Sequence, residues 1–124
     1  MRLNHPRLER LHGATLNTCR GLAHALRSEA ALREECVALA IALPLGALIA
    51  PSVAWYVAMT GVLLLVLAVE LLNTAVEKLA DHVTPEWNRD IGIVKDIGSA
   101  AVFCVLLLAG LVWSAALAVR IGLV

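Results

Sequence analysis

The chain has 124 residues, about 60% of them hydrophobic and 16% charged, with a formal net charge of zero. Such a composition is too apolar for a soluble domain of this size and points to a single integral-membrane domain over residues 1–124. The charges are segregated, with six arginines before residue 34 and only Arg120 after Asp96, so the net charge by itself says nothing about partners; no nucleic-acid partner is expected.

Residues 7–28 read as an amphipathic helix. Leu8, Leu11, Thr15, Cys19, Leu22 and Leu26 form one stripe, and Arg10, Gly13, Asn17, Arg20, His24 and Arg27 form the opposite one. Such a helix lies in the membrane interface, where its basic face meets anionic headgroups or supplies cations to a polyphosphate. Cys19, Cys36 and Cys104 stand singly, without disulfide or zinc spacing, and are expected as free thiols. The polar arm ahead of Cys36 is too long for the start of a signal peptide, so none is expected.

The segment Ser28-Glu29-Ala30-Ala31-Leu32-Arg33-Glu34-Glu35 leads into Cys36–Ala50, an apolar run of about 15 residues, short for a span unless the preceding helix dips into the bilayer. Glu29 and Arg33 have the spacing of an i,i+4 surface pair. Pro51 breaks the helix, and a second apolar run from Val53 to Val69 continues to about Asp81, with Trp55 and Tyr56 marking its outer interface. His82–Asp90 is a polar connection. Lys95-Asp96-Ile97-Gly98-Ser99-Ala100-Ala101 enters a third run that extends to about Val119, with Gly98, Ala100 and Ala101 small enough for close helix approach. Three spans follow, at about 29–50, 52–81 and 90–120. Lysine and arginine concentrate before the first span and between the second and third, so the N-terminus and residues 78–96 are expected in the cytoplasm and the C-terminus outside.

The stretch Glu70-Leu71-Leu72-Asn73-Thr74-Ala75-Val76-Glu77 places acid, amide and acid on one helical face directly after an apolar run, its two carboxylates about 10 Å apart along the axis. Ionised carboxylates at bilayer depth cost about 2.5–3.5 kcal/mol on insertion scales and usually face a protein interior, a partner or a metal. The competing reading is that Glu77 ends the helix at the headgroups and pairs with Lys78. With the expected topology, Glu29, Arg33, Glu70, Asn73, Glu77, Lys95, Asp96 and Ser99 share the cytoplasmic boundary. Carboxylates and an amide suit Mg²⁺, cations neutralise phosphate, and a partly dry carboxylate can accept a hydroxyl proton, which together are the parts of phosphoryl transfer. No phosphate-binding Gly-rich loop is present, so any nucleotide site is built from helix faces. Lys95 and Asp96 read equally well as a solvated pair, and Trp113, deep in the third span, as packing.

At these residues the chain resembles the prokaryotic diacylglycerol kinases, small trimeric inner-membrane enzymes with three spans and an N-terminal surface helix. The resemblance runs from about Arg10 to Trp113 and rests on Glu70–Glu77, on Lys95-Asp-Ile-Gly-Ser-Ala-Ala-Val102, and on Glu29-Ala-Ala-Leu-Arg-Glu-Glu35. It implies an all-α homotrimer in the bacterial inner membrane that uses ATP and Mg²⁺ to phosphorylate 1,2-diacylglycerol to phosphatidate without a phosphoenzyme. By the same resemblance Glu70 is the general base, Glu29 and Glu77 hold the metal, and Asn73 and Ser99 order the centre. Arg10, Asn17, Lys95 and Asp96 contact nucleotide with Glu86 and Trp87 near it, and lipid lies along Arg10, Ala14, Thr18, Ala31, Arg33, Glu35 and Trp113. The family often has tryptophan at Cys19, glutamine at Glu34 and arginine at Tyr56. The related undecaprenol kinases and a non-enzymatic trimeric membrane module are the alternatives.

Overall fold

A computed structural model describes residues 6–124, all of whose regular structure is α-helical. Four helices follow one another: α1 (Pro6–Ser28), α2 (Ala30–Ile49), α3 (Val53–Val83) and α4 (Arg89–Arg120). A single extended residue, Glu29, separates α1 from α2, and its backbone N–H still bonds the Ala25 carbonyl at 2.9 Å. The Arg33 guanidinium then reaches back to the carbonyls of Leu26 and Arg27, at 3.1 and 3.3 Å, and supplies donors to the end of α1 that the helix itself lacks. This bond, rather than a surface pair with Glu29, is where Arg33 is used.

The α2–α3 turn is short because Ser52 caps α3, its hydroxyl accepting from the Trp55 backbone N–H. At the other end α3 runs on to Val83, past Asp81, and stops before Thr84-Pro85, where a proline disfavours helix in the preceding residue. Asn88 starts α4 by accepting from the backbone N–H groups of Asp90 and Ile91. After α4, Gly122 takes a left-handed φ of 73° and turns the chain.

The main packing is the antiparallel α3–α4 pair, with Val62, Val66 and Ala109 at its centre and Leu63, Val105, Val112 and Trp113 against them. Ala109 and Ala116 are buried on α4, and small side chains there let the two helices approach closely. The Trp113 indole N–H donates to the Met59 carbonyl at 3.2 Å, which ties α4 to α3. The Tyr56 hydroxyl donates to the Leu43 carbonyl at 3.2 Å, and both aromatic rings lie against Gly46 of α2. Outside these seams the helices expose many large apolar side chains, among them Leu64, Leu72, Phe103, Leu107 and Leu111. A surface of that kind requires lipid or other chains to cover it.

Of 31 and 32 residues, α3 and α4 are long and apolar enough to cross a membrane. About 20 residues span the hydrocarbon, so a span that starts at Val53 is used up near Leu72. Glu70 therefore stands at the C-terminal end of the apolar stretch of α3 and Glu77 beyond it. The short α3–α4 connection brings Lys95 and Asp96 back to the same end. The apolar part of α2 is the shorter run that follows Arg33, Glu34 and Glu35.

Candidate functional site

Three helices meet around Glu70. The helical repeat turns Glu70, Asn73 and Glu77 to one side of α3, and the Asn73 Nδ2 group donates to Glu77 Oε1 at 3.1 Å. That bond leaves Asn73 Oδ1 buried without a hydrogen-bond partner, and Glu70 Oε2 is in the same condition. Glu35 of α2 contributes a third such oxygen and lies close enough to Glu70 for the two carboxylates to interact electrostatically. Buried polar atoms left unpaired are costly and rare, so three within one cluster mark a place where a further group belongs.

Gly98 of α4 faces this cluster. A Cβ at position 98 would overlap the Asn73 Oδ1 atom, so only glycine lets α4 lie against Asn73 as it does. The close approach expected of the small residues at 98–101 thus has a specific purpose at Gly98. Ser99 and Asp96, on either side, are exposed.

From Glu35 an apolar groove of about 350 Å³ runs between α2, α3 and α4, past Ala38, Leu39, Ala42, Val66, Leu67, Leu106 and Gly110, to Trp113. It joins two residues, Glu35 and Trp113, that the resemblance sets beside the lipid. Trp113 packs, as its depth suggests, and lines this groove as well.

Below Glu77 the charges pair between elements. The Glu29 carboxylate meets the Lys78 ammonium at 2.8 Å, which sets the start of α2 beside the end of α3. The hydrogen bond from Lys78, followed by one from Ser28, holds the Glu29 carboxyl below the usual carboxylate range. Lys95 pairs with Asp81 of α3. The neighbour pairs that the competing readings offered, Glu29–Arg33, Glu77–Lys78 and Lys95–Asp96, give way to contacts across helices, because the bundle brings each cation closer to a partner on another segment. Asp81, which the sequence reading did not single out, is the partner of Lys95. Its signal was its position four residues after Glu77, one further turn along the same face.

The remaining candidates lie farther out. Arg10, Ala14 and Asn17 line an open surface formed by α1 alone, with Arg7, Leu11 and Gly13. Thr18 donates to the Ala14 carbonyl and faces the groove between α1 and α3 that also holds Lys78. Ala31 is exposed, as are Glu86 and Trp87 in the α3–α4 connection. The chain by itself thus joins Glu35, Glu70, Asn73 and Glu77, and separately Glu29 to α3. It leaves Arg10 and Asn17 on a face of their own. The departures from the family pattern at Cys19 and Glu34 are exposed, whereas Tyr56 is half-buried and spent on the α2–α3 contact.

Among the described residues no three or more His, Cys, Asp or Glu side chains gather into a metal cage. Mg²⁺ does not need one, since it commonly takes one or two carboxylates and completes its shell with water and substrate phosphates. The Lys78 contact brings Glu29 to the residue that follows Glu77, and those two carboxylates would supply such a pair.

Residues 17–117 match the protein-family description "Prokaryotic diacylglycerol kinase". A diacylglycerol kinase of Haemophilus influenzae is 38% identical over 106 residues, covering 86% of this chain and 90% of the relative. That of Pseudomonas aeruginosa is 36% identical over 107 residues, covering 86% and 87%. That of Escherichia coli K12 is 34% identical over 94 residues, covering 76% and 77%.

Proposed function

The chain belongs to the prokaryotic diacylglycerol kinase family, and on that footing we propose that it transfers the γ-phosphoryl group of ATP to the free hydroxyl of 1,2-diacylglycerol, giving phosphatidate and ADP. The enzyme works as a homotrimer in the bacterial inner membrane, with α1 on the cytoplasmic surface, α2, α3 and α4 spanning, and the C-terminus outside. The observation that carries the reading is the buried, unpaired Glu70 oxygen at the end of a long apolar helical run. It lies beside Glu35, where the apolar groove to Trp113 opens.

In this reading the acyl part of the lipid occupies the groove from Glu35 to Trp113, with Ala31, Arg33 and Ser99 nearer the headgroup and Arg10, Ala14 and Thr18 contributed by α1. Glu70 takes the hydroxyl proton while the lipid oxygen bonds to the γ-phosphorus and the bond to the ADP oxygen breaks, in line and without a phosphoenzyme. Asn73 fixes Glu77 through their hydrogen bond, while its own carbonyl oxygen packs against Gly98 of α4. Glu29 and Glu77 would hold Mg²⁺, which when bound neutralises charge on the nucleotide phosphates. Lys95 and Arg10 bring cations to the triphosphate, with Asn17, Glu86, Trp87 and Asp96 around the nucleotide. The α1 face that carries Arg10 and Asn17 needs a second wall, which a neighbouring copy in the trimer provides.

Purified protein given ATP, Mg²⁺ and a panel of lipid alcohols tests the proposal. Phosphatidate formed in proportion to added diacylglycerol supports it. Phosphorylation of undecaprenol in preference to diacylglycerol would move the chain to the related kinases, and ATP consumption independent of every lipid would remove the lipid-kinase mechanism.

A further inference from the structure

Lys78 is the one partner that Glu29 has across helices among the described residues, and it follows immediately after Glu77. We propose that Lys78 is a resident counter-ion of the metal site. Its ammonium holds the Glu29 carboxylate and gives it up to the divalent cation, so that Lys78 sets the metal requirement. The inference rests on Glu29 as a metal ligand and adds to it a residue that the acid-amide-acid pattern does not contain.

The geometry suits a replaceable occupant. The pair is 2.8 Å apart, yet the Lys78 and Glu29 side chains retain 45% and 31% of their exposure. An ion pair so accessible to water is weak and readily exchanged. The lysine stem is long and flexible, and its ammonium is a compact point charge, so it can leave the carboxylate without moving α3. Its release also frees the α1–α2 junction from α3, because Glu29 is the single non-helical residue between α1 and α2. Loading the cation therefore exchanges one restraint on this junction for another. Glu77 is held by Asn73 instead and needs no such exchange.

Two measurements test this. The first is Mn²⁺ binding by the intact protein, followed by electron paramagnetic resonance with Mn²⁺ alone and with Mn²⁺ plus a non-hydrolysable ATP analogue. Lys78→Met should bind Mn²⁺ roughly two- to five-fold more tightly, the range set by loss of an exposed ion pair, and Lys78→Arg should stay near the parent protein. The gain should vanish in Glu29→Gln/Lys78→Met. Unchanged or weaker binding by Lys78→Met, while Glu29→Gln weakens it, would overturn the counter-ion role and leave Lys78 as a fastening of the junction. Binding unaffected by Glu29→Gln would instead overturn Glu29 as a ligand. The second measurement needs no variant at Lys78. The chain contains two lysines, Lys78 and Lys95, so ¹³Cε-lysine labelling gives two signals, assigned with Lys95→Gln. Mg²⁺ should shift the Lys78 signal toward that of a free lysine, and a Lys78 signal unmoved at saturating Mg²⁺ would contradict the proposal.

Discussion

Replacing Gly98 by alanine probes the catalytic centre without touching any residue assigned a chemical role. The added Cβ overlaps Asn73 Oδ1, and the backbone of α4 cannot retreat cheaply because Ala109 and Ala116 hold it against α3 farther along. The Asn73 amide is the softer party and must rotate, at about 0.5–1.5 kcal/mol for a side chain forced off its rotamer. Rotation also breaks the Asn73–Glu77 hydrogen bond, and a bond to a charged group is worth about 1.5–3 kcal/mol when buried and less when half-buried, as here. The sum predicts a stability loss of about 1–3 kcal/mol, within the usual range for overpacking, with helix content retained. Turnover should fall about ten-fold or more, because Glu77 is no longer held. The assay is a double-mutant cycle on purified trimer, with lipid-dependent ATP turnover and thermal unfolding measured for Gly98→Ala, Asn73→Ala and both together. If the cause is displacement of Asn73, the double variant is no worse than Asn73→Ala alone. Turnover of Gly98→Ala equal to that of the parent, or losses that multiply, would refute the reasoning.

Glu29→Gln and Glu77→Gln should each raise the Mg²⁺ requirement, and the double variant should be about as impaired as the worse single one, since ligands of one ion act as a unit. Multiplicative losses with an unchanged Mg²⁺ dependence would separate them. Lys95→Gln should weaken ATP dependence about ten-fold or more through loss of a charge-assisted bond, with little effect on lipid dependence. Equal small shifts in both would leave Lys95 as no more than the surface partner of Asp81. Trp113→Phe removes the bond to the Met59 carbonyl and should lower stability by about 1 kcal/mol, read from thermal unfolding, while the groove keeps an aromatic wall.

Local rules carried the reading of the chain a long way. The apolar runs and their breaks at Pro51 and Thr84-Pro85 announced an all-helical protein, and a 3.6-residue period was enough to set Asn73 beside Glu77. Partner choice was not legible in the same way. Nearest-in-sequence rules offered Arg33 to Glu29, Lys78 to Glu77 and Asp96 to Lys95. In the fold the three cations go to the end of α1, to Glu29 and to Asp81, because the register between helices decides which long side chains meet. The purpose of Gly98 was visible as small size but not as room for one amide oxygen, which depends on the α3–α4 contact. The caps at Ser52 and Asn88 were legible and overlooked, since both stand directly before a helix with side-chain oxygens suited to free N–H groups. The short apolar run of α2 still distinguishes it from α3 and α4, whose length and composition suffice for a membrane crossing.

The central claim is that Glu70 accepts the proton of the lipid hydroxyl. Its direct test is the rate of ³²P transfer from γ-labelled ATP to diacylglycerol at saturating substrates, in the parent protein and in Glu70→Gln, with nucleotide and lipid binding measured on the same samples. The account predicts a rate lower by about 10²- to 10⁴-fold with binding preserved, as for loss of a general base whose amide replacement is nearly isosteric. Near-parent transfer by Glu70→Gln would contradict it.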